Sequence, residues 1–90
     1  MTTAMMVDNP QGSQEVYERV RDLLGDEGPL GGVLHLAGPA PNGGWRVIEL
    51  WESEAAARRF FEERLLAAVE AVGAPALPAP QYWPIHSYTV

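Results

Sequence analysis

Two segments, GVLHLA at 32–37 and WRVIELW at 45–51, alternate so that neither side of the sheet they would form is suited to water. Successive side chains of a strand point to opposite faces. Leu34, Leu36, Ile48 and Leu50 therefore share one face, with Arg46 and Glu52 at its ends. The other face carries Val33, His35 and Ala37 on one strand and Trp45, Val47, Glu49 and Trp51 on the next. An antiparallel sheet usually packs one face on a core and turns a polar face to solvent. The first face is purely aliphatic at its centre and is expected to lie under helices. The second presents two indoles and two valines, more apolar surface than a monomer leaves in water. A chain of 90 residues buries only about 60–65% of its unfolded surface, so a second copy is the economical covering. The expectation is a homodimer, sheet face against sheet face, with a pocket between each sheet and its covering.

The remaining segments supply helices and two further strands. Residues 3–8, TAMMVD, read as a strand ended by the turn formers NPQGS. Ser13 is a candidate N-cap, and Glu15 suits the positive end of a helix dipole. From there Val16, Tyr17, Val20, Leu23 and Leu24 recur at helical spacing to about Gly25. DEGPLGG follows as a loop. GPAPNGG, at 38–44, is a long hairpin loop; centred near Pro41, it would set His35 opposite Val47 and diagonal to Glu49 and Trp45. Ser53 caps a second helix whose apolar stripe is Ala57, Phe60, Phe61, Leu65, Ala68, Val69 and Val72, with Gly73 as its stop. Glu54–Arg58, Arg58–Glu62 and Arg59–Glu63 have the i,i+4 spacing of exposed ion pairs. After the Pro-rich APALPAP the chain closes on a β-rich tail, QYWPIHSYTV, in which Pro84 points to a strand start or an edge strand. The order is βαββαβ. It predicts one domain over 1–90, an α+β ferredoxin-like sandwich with a four-stranded antiparallel sheet and two helices on one face.

Composition excludes several chemistries. Twelve acidic against six basic residues give a net charge of −6, which is unsuited to a nucleic-acid partner, because phosphates are neutralised by clustered Lys and Arg. No apolar run approaches the roughly 20 residues of a membrane span. The start MTTAMMVDN lacks the basic region of a secretory signal, so a cytoplasmic location is expected. Without Cys there is no thiolate nucleophile or Cys-ligated metal, and without Lys no Schiff base or GxxxxGK phosphate loop. His35 and His86 have no local ligand spacing, so neither a metal nor another cofactor is expected. Ser13 and Ser53 are explained as caps, and Ser87 sits in no GxSxG elbow. What remains is His35 with Glu49 on one face. A His beside a carboxylate in an aromatic-walled cavity is an acid–base pair; the same two residues could equally satisfy each other for structural reasons. Trp45, Trp51, Val33 and Val47 are the candidate pocket walls, joined by His86 if the last strand turns it inward.

The run GWRVIELWESEAAARRFFEERL resembles a strand ending in E-x-W-x-S followed by a helix, the signature of the dimeric α+β barrel superfamily. Within that superfamily the chain looks most like the antibiotic-biosynthesis-monooxygenase type, from its short first strand through VYERVRDLL to the closing PIHSY. The resemblance implies a dimeric α+β barrel, with Trp51 matching a tryptophan that commonly lines the pocket and Glu49 matching the glutamate of the signature. Superfamily members include cofactor-independent oxygenases of polyketide anthrones, haem-degrading enzymes, lactone isomerases, dehydratases and proteins with no known reaction. Oxygenases and haem degraders of this type often place a His on the second helix or an Asn near the pocket. Here ARRFFEERLLAAVEAV has no His and Asn42 is in a loop, a departure that counts against haem degradation. The expectation is a homodimer that binds a small hydrophobic or aromatic, polyketide-like molecule. As an enzyme it would be a cofactor-independent monooxygenase or isomerase, with His35 abstracting a proton and Glu49 assisting. The alternative is a non-catalytic ligand-binding or stress-related module in which both residues are structural.

Overall fold

Ser13 and Ser53 end extended backbone and begin helices. Each hydroxyl accepts the N–H three residues on, Val16 at 3.2 Å and Ala56 at 3.1 Å, the bond that defines an N-cap. The computed structural model describes residues 1–25 and 28–90, so the loop expected over DEGPLGG falls partly outside the described residues. From Ser13 runs α1, Gln14–Leu24. From Ser53 runs α2, Glu54–Phe60, which passes directly into a π-helical turn, Phe61–Leu65, and then α3, Leu66–Ala71. The strands are β1, Thr3–Asn9; β2, Gly32–Pro39; β3, Trp45–Trp51; and β4, Gln81–Pro84. They form one sheet in the order β2-β3-β1-β4, with every neighbouring pair antiparallel. This is the expected βαββαβ sandwich.

The face on which the helices lie is the opposite of the one expected. Met5 and Val7 of β1 and Trp51 of β3 form one buried cluster with Ala57, Phe60 and Phe61 of the second helical segment. Trp51, at 1% exposure, is among the most buried side chains, and its ring meets that of Phe60 at a centroid distance of 5.0 Å. The face of Glu49 and Trp51 is therefore under the helices, with His35 at its exposed edge, while Leu34, Leu36 and Ile48 on the aliphatic face are uncovered and Leu50 is buried. The reason is physical. The polar atoms of Glu49 and the Trp51 indole can be buried because they pair with one another, and the Trp51 ring packs against Phe60 of the helical segment.

The hairpin is tighter than expected. β2 runs on to Pro39, and Ala40 and Gly44 close the turn with an N–H···O bond of 3.1 Å. Its centre moves to Asn42, so His35 pairs with Glu49 and Ala37 with Val47. The expected His35–Val47 pairing is thus displaced by two residues. At the other end of β2 a bulge between Gly32 and Leu34 absorbs Val33. Leu23 projects into solvent rather than joining the apolar stripe of α1. Of the three expected i,i+4 pairs, Glu54–Arg58 closes at 2.7 Å; the same guanidinium lies 4.3 Å from the centre of the Tyr82 ring. The β-rich tail reduces to four strand residues. After β4 the Ile85 N–H donates to the Thr2 carbonyl at 2.8 Å, and His86 follows outside the sheet.

Candidate functional site

Opposite register on β2 and β3 brings His35 Nδ1 to 2.6 Å from Glu49 Oε2. Two residues along β3, on the same face, Trp51 donates its indole N–H to Glu49 Oε1 at 3.2 Å. The far side of the imidazole meets α1, where the Tyr17 hydroxyl lies 2.5 Å from His35 Nε2. Four side chains from three elements thus form one hydrogen-bonded row: Tyr17, His35, Glu49, Trp51. Glu49 is 7% exposed; a carboxylate is buried at tolerable cost when both oxygens have donors. Because a carboxylate only accepts, Nδ1 carries the hydrogen of that bond and Nε2 is left to accept from the phenol. Burial raises the Tyr17 pKa above its ordinary value, outweighing the attraction of the Arg21 charge, so the phenol rests protonated. The Tyr17 ring stacks on His35 with centroids 5.8 Å apart and tilts against Trp45 at 5.4 Å.

This row opens on a cavity of about 450 Å³ between the helices and the sheet, within the range of small-molecule sites. Its walls are mostly apolar, with Met5, Val7, Val20, Phe60, Val69 and Leu77 among them, and Asn9, Gln11, Ser13, Arg21 and Arg64 also border it. Trp45, Trp51, Val33 and Val47 line it together with His35 and Glu49. His86 does not. It is exposed in the tail beyond β4, because the strand ends at Pro84. The Trp45 indole N–H is buried without a hydrogen-bond partner among the described residues. No three His, Cys, Asp or Glu side chains come together as a possible metal site among the described residues. No helix among them is long and apolar enough to cross a membrane.

Tyr17 is the member of the row that the sequence conceals. It sits in the apolar stripe of α1 between Val16 and Val20, where an aromatic reads as core. Its one distinguishing mark is a polar tip on a side chain aimed at the sheet.

No family model matches the chain, and no curated protein is similar to it. Solved structures are similar in fold. One, assigned as an antibiotic biosynthesis monooxygenase of Chloroflexus aurantiacus J-10-fl, is 11% identical with a TM-score of 0.63, covering 99% of this chain and 98% of its own. SnoaB, a cofactor-independent oxygenase from Streptomyces nogalater solved as a point variant, is 16% identical with a TM-score of 0.60, covering 97% and 94%. A third, from Deinococcus radiodurans and likewise assigned as an antibiotic biosynthesis monooxygenase, is 12% identical with a TM-score of 0.52, covering 100% and 97%. The fold of the chain is thus that of the antibiotic biosynthesis monooxygenase structures over nearly its whole length.

Proposed function

We propose that the protein binds a small aromatic, polyketide-like molecule in the cavity beneath the helices and moves a proton on it through His35 and Glu49. The observation that supports this most is a fully paired polar row, anchored on the buried Glu49 and Trp51, that borders a mostly apolar cavity. Apolar walls hold a flat ring system, and the row supplies the acid–base group at one defined place. The resulting carbanion or enolate is the species that a cofactor-independent oxygenase or isomerase would carry forward; SnoaB, similar in fold, is a cofactor-independent oxygenase. The reading includes a homodimer joined through the aliphatic sheet face, in the cytoplasm.

The test uses 1,8-dihydroxyanthrone under argon as the probe. Saturable quenching of tryptophan fluorescence, at one probe per chain and abolished by Val47→Trp, is expected from a ligand among Trp45 and Trp51. Quenching unaffected by Val47→Trp would place the probe elsewhere and overturn the reading. A second reading, a non-catalytic ligand-binding or stress-related module, draws on the same row: every nitrogen of His35 and both oxygens of Glu49 already have protein partners, as in a structural network. Under that reading the probe binds and its methylene protons exchange with solvent no faster than in buffer.

A further inference from the structure

We propose that the Tyr17 hydroxyl, rather than the His35 imidazole, is the group that exchanges a proton with the bound molecule, His35 and Glu49 acting through it. This rests on the proton-transfer reading of the site and assigns the substrate-facing atom within it.

Valence is the first argument. A neutral imidazole has one N–H donor and one acceptor nitrogen. Nδ1 is spent on Glu49 at 2.6 Å and Nε2 on Tyr17 at 2.5 Å. No lone pair of His35 remains to receive a proton from a ligand. The Tyr17 oxygen is differently placed: its hydrogen goes to Nε2, and its lone pairs are free to accept. Position is the second argument. Tyr17 lines the cavity, and its ring is packed against both Trp45 and His35. Swinging it aside to expose Nε2 would break two aromatic contacts and the hydrogen bond together. The order of groups is the third. A hydroxyl held by an imidazole that is itself held by a carboxylate is the general arrangement by which a weak acid is activated, base behind it and orienting group behind the base.

The step conserves atoms and charge. A ligand C–H or O–H proton passes to the Tyr17 oxygen as the phenolic hydrogen passes to His35 Nε2. The electron pair of the broken bond stays on the ligand as a carbanion, enolate or phenolate. The imidazolium keeps its Nδ1 hydrogen toward Glu49, so the new positive charge forms beside a carboxylate. Tyr17 ends as it began, a neutral phenol, which agrees with the upward effect of burial on its pKa. The ligand class follows: an acid of strength near that of a phenol, such as the methylene of an anthrone, set between two aryl rings that a carbonyl joins. Reversed, the same row delivers a proton.

The experiment follows solvent-deuterium exchange into the methylene of 1,8-dihydroxyanthrone under argon, by mass spectrometry, with dissociation constants and melting temperatures measured alongside. Tyr17→Phe removes one oxygen and keeps the ring. It should slow exchange at saturating probe by about 10²-fold or more, leaving melting temperature within a few degrees and probe affinity within about threefold. His35→Asn should slow exchange comparably. Wild-type exchange in Tyr17→Phe, with exchange lost in His35→Asn, would mean that His35 meets the ligand directly and would overturn the proposal. Loss of probe affinity or folding in Tyr17→Phe would make its role structural and overturn it equally. Exchange at the buffer rate in the wild type with probe bound would instead remove the proton-transfer reading itself.

Discussion

Glu49 is the residue on which the site depends, because it is buried and holds both His35 and Trp51. His35→Ala leaves Glu49 Oε2 without its donor, and stranding a buried acceptor costs about 1–3 kcal/mol. For a domain of this size each kcal/mol lowers the melting temperature by roughly 4–8 °C, so calorimetry should show a clear drop. An unchanged melting temperature would mean that water replaces the imidazole at no cost. The alkaline limb of stability is expected from the half-buried phenols of Tyr17 and Tyr82. Burial is the largest influence on Tyr17 and Tyr82, and it raises both pKa values above 10.0. A raised value in the folded state means that stability is intact below the unfolded value and declines as pH rises through the folded one. Melting temperatures from pH 9 to 12 should therefore fall beyond about pH 10, and less steeply in Tyr82→Phe. An equal slope in the variant would show that Tyr82 takes no part. At this scale the sequence was partly legible. Strand alternation alone puts His35 and Glu49 on one face, whereas their direct pairing depends on a hairpin centred at Asn42, which a loop of seven turn formers does not specify.

The elements themselves were legible in the serine caps, the helical stripes and the alternating strands; which face the helices cover was not. Reading a polar-containing face as the outer one treats each side chain singly, yet Glu49 and Trp51 pair with each other and are buried together, with the exposed His35 supplying the second donor. A stronger signal lay in handedness. β1 and β2 run parallel with β3 between them, and a right-handed crossover through α1 fixes the side on which the helix lies. The hairpin turn offers a test of how the register is held. Gly43 and Gly44 both have positive φ, 97° and 82°. A Cβ at Gly43 would meet open space, while one at Gly44 would run into the Asn9 carbonyl and approach Pro10 Cα at 2.7 Å. Gly43→Ala should cost only the left-handed strain, about 1–2 kcal/mol. Gly44→Ala should cost at least twice that, and it should also separate His35 from Glu49, since the turn sets their pairing. Equal denaturation midpoints for the two variants would mean that the approach to Asn9 is not needed.

Across the whole molecule, the uncovered sheet face is the feature that most demands a partner. Leu36 is 53% exposed and Trp83 38%, with Leu34, Ile48 and Met6 half-buried between them. The proposed homodimer draws on exposed apolar area, which the inversion of the faces leaves in place on other residues. Light scattering coupled to sizing should give a dimer. Leu36→Glu should give a folded monomer, since a carboxylate is harmless on a monomer's surface but costs several kcal/mol unpaired in an interface. A wild-type monomer at micromolar concentration would contradict the proposed dimer.

In the proposed site a mostly apolar cavity beneath the helices presents its ligand to the Tyr17–His35–Glu49 row. A crystal structure of the protein grown with 1,8-dihydroxyanthrone tests it most directly. The expected position is the ring system between α1 and the sheet, walled by Trp45, Val47 and Trp51, with its methylene carbon or one of its oxygens nearest the Tyr17 hydroxyl. A probe seated on the Leu36–Ile48 face, or one within the cavity that turns its oxygens away from Tyr17 and His35, would contradict it.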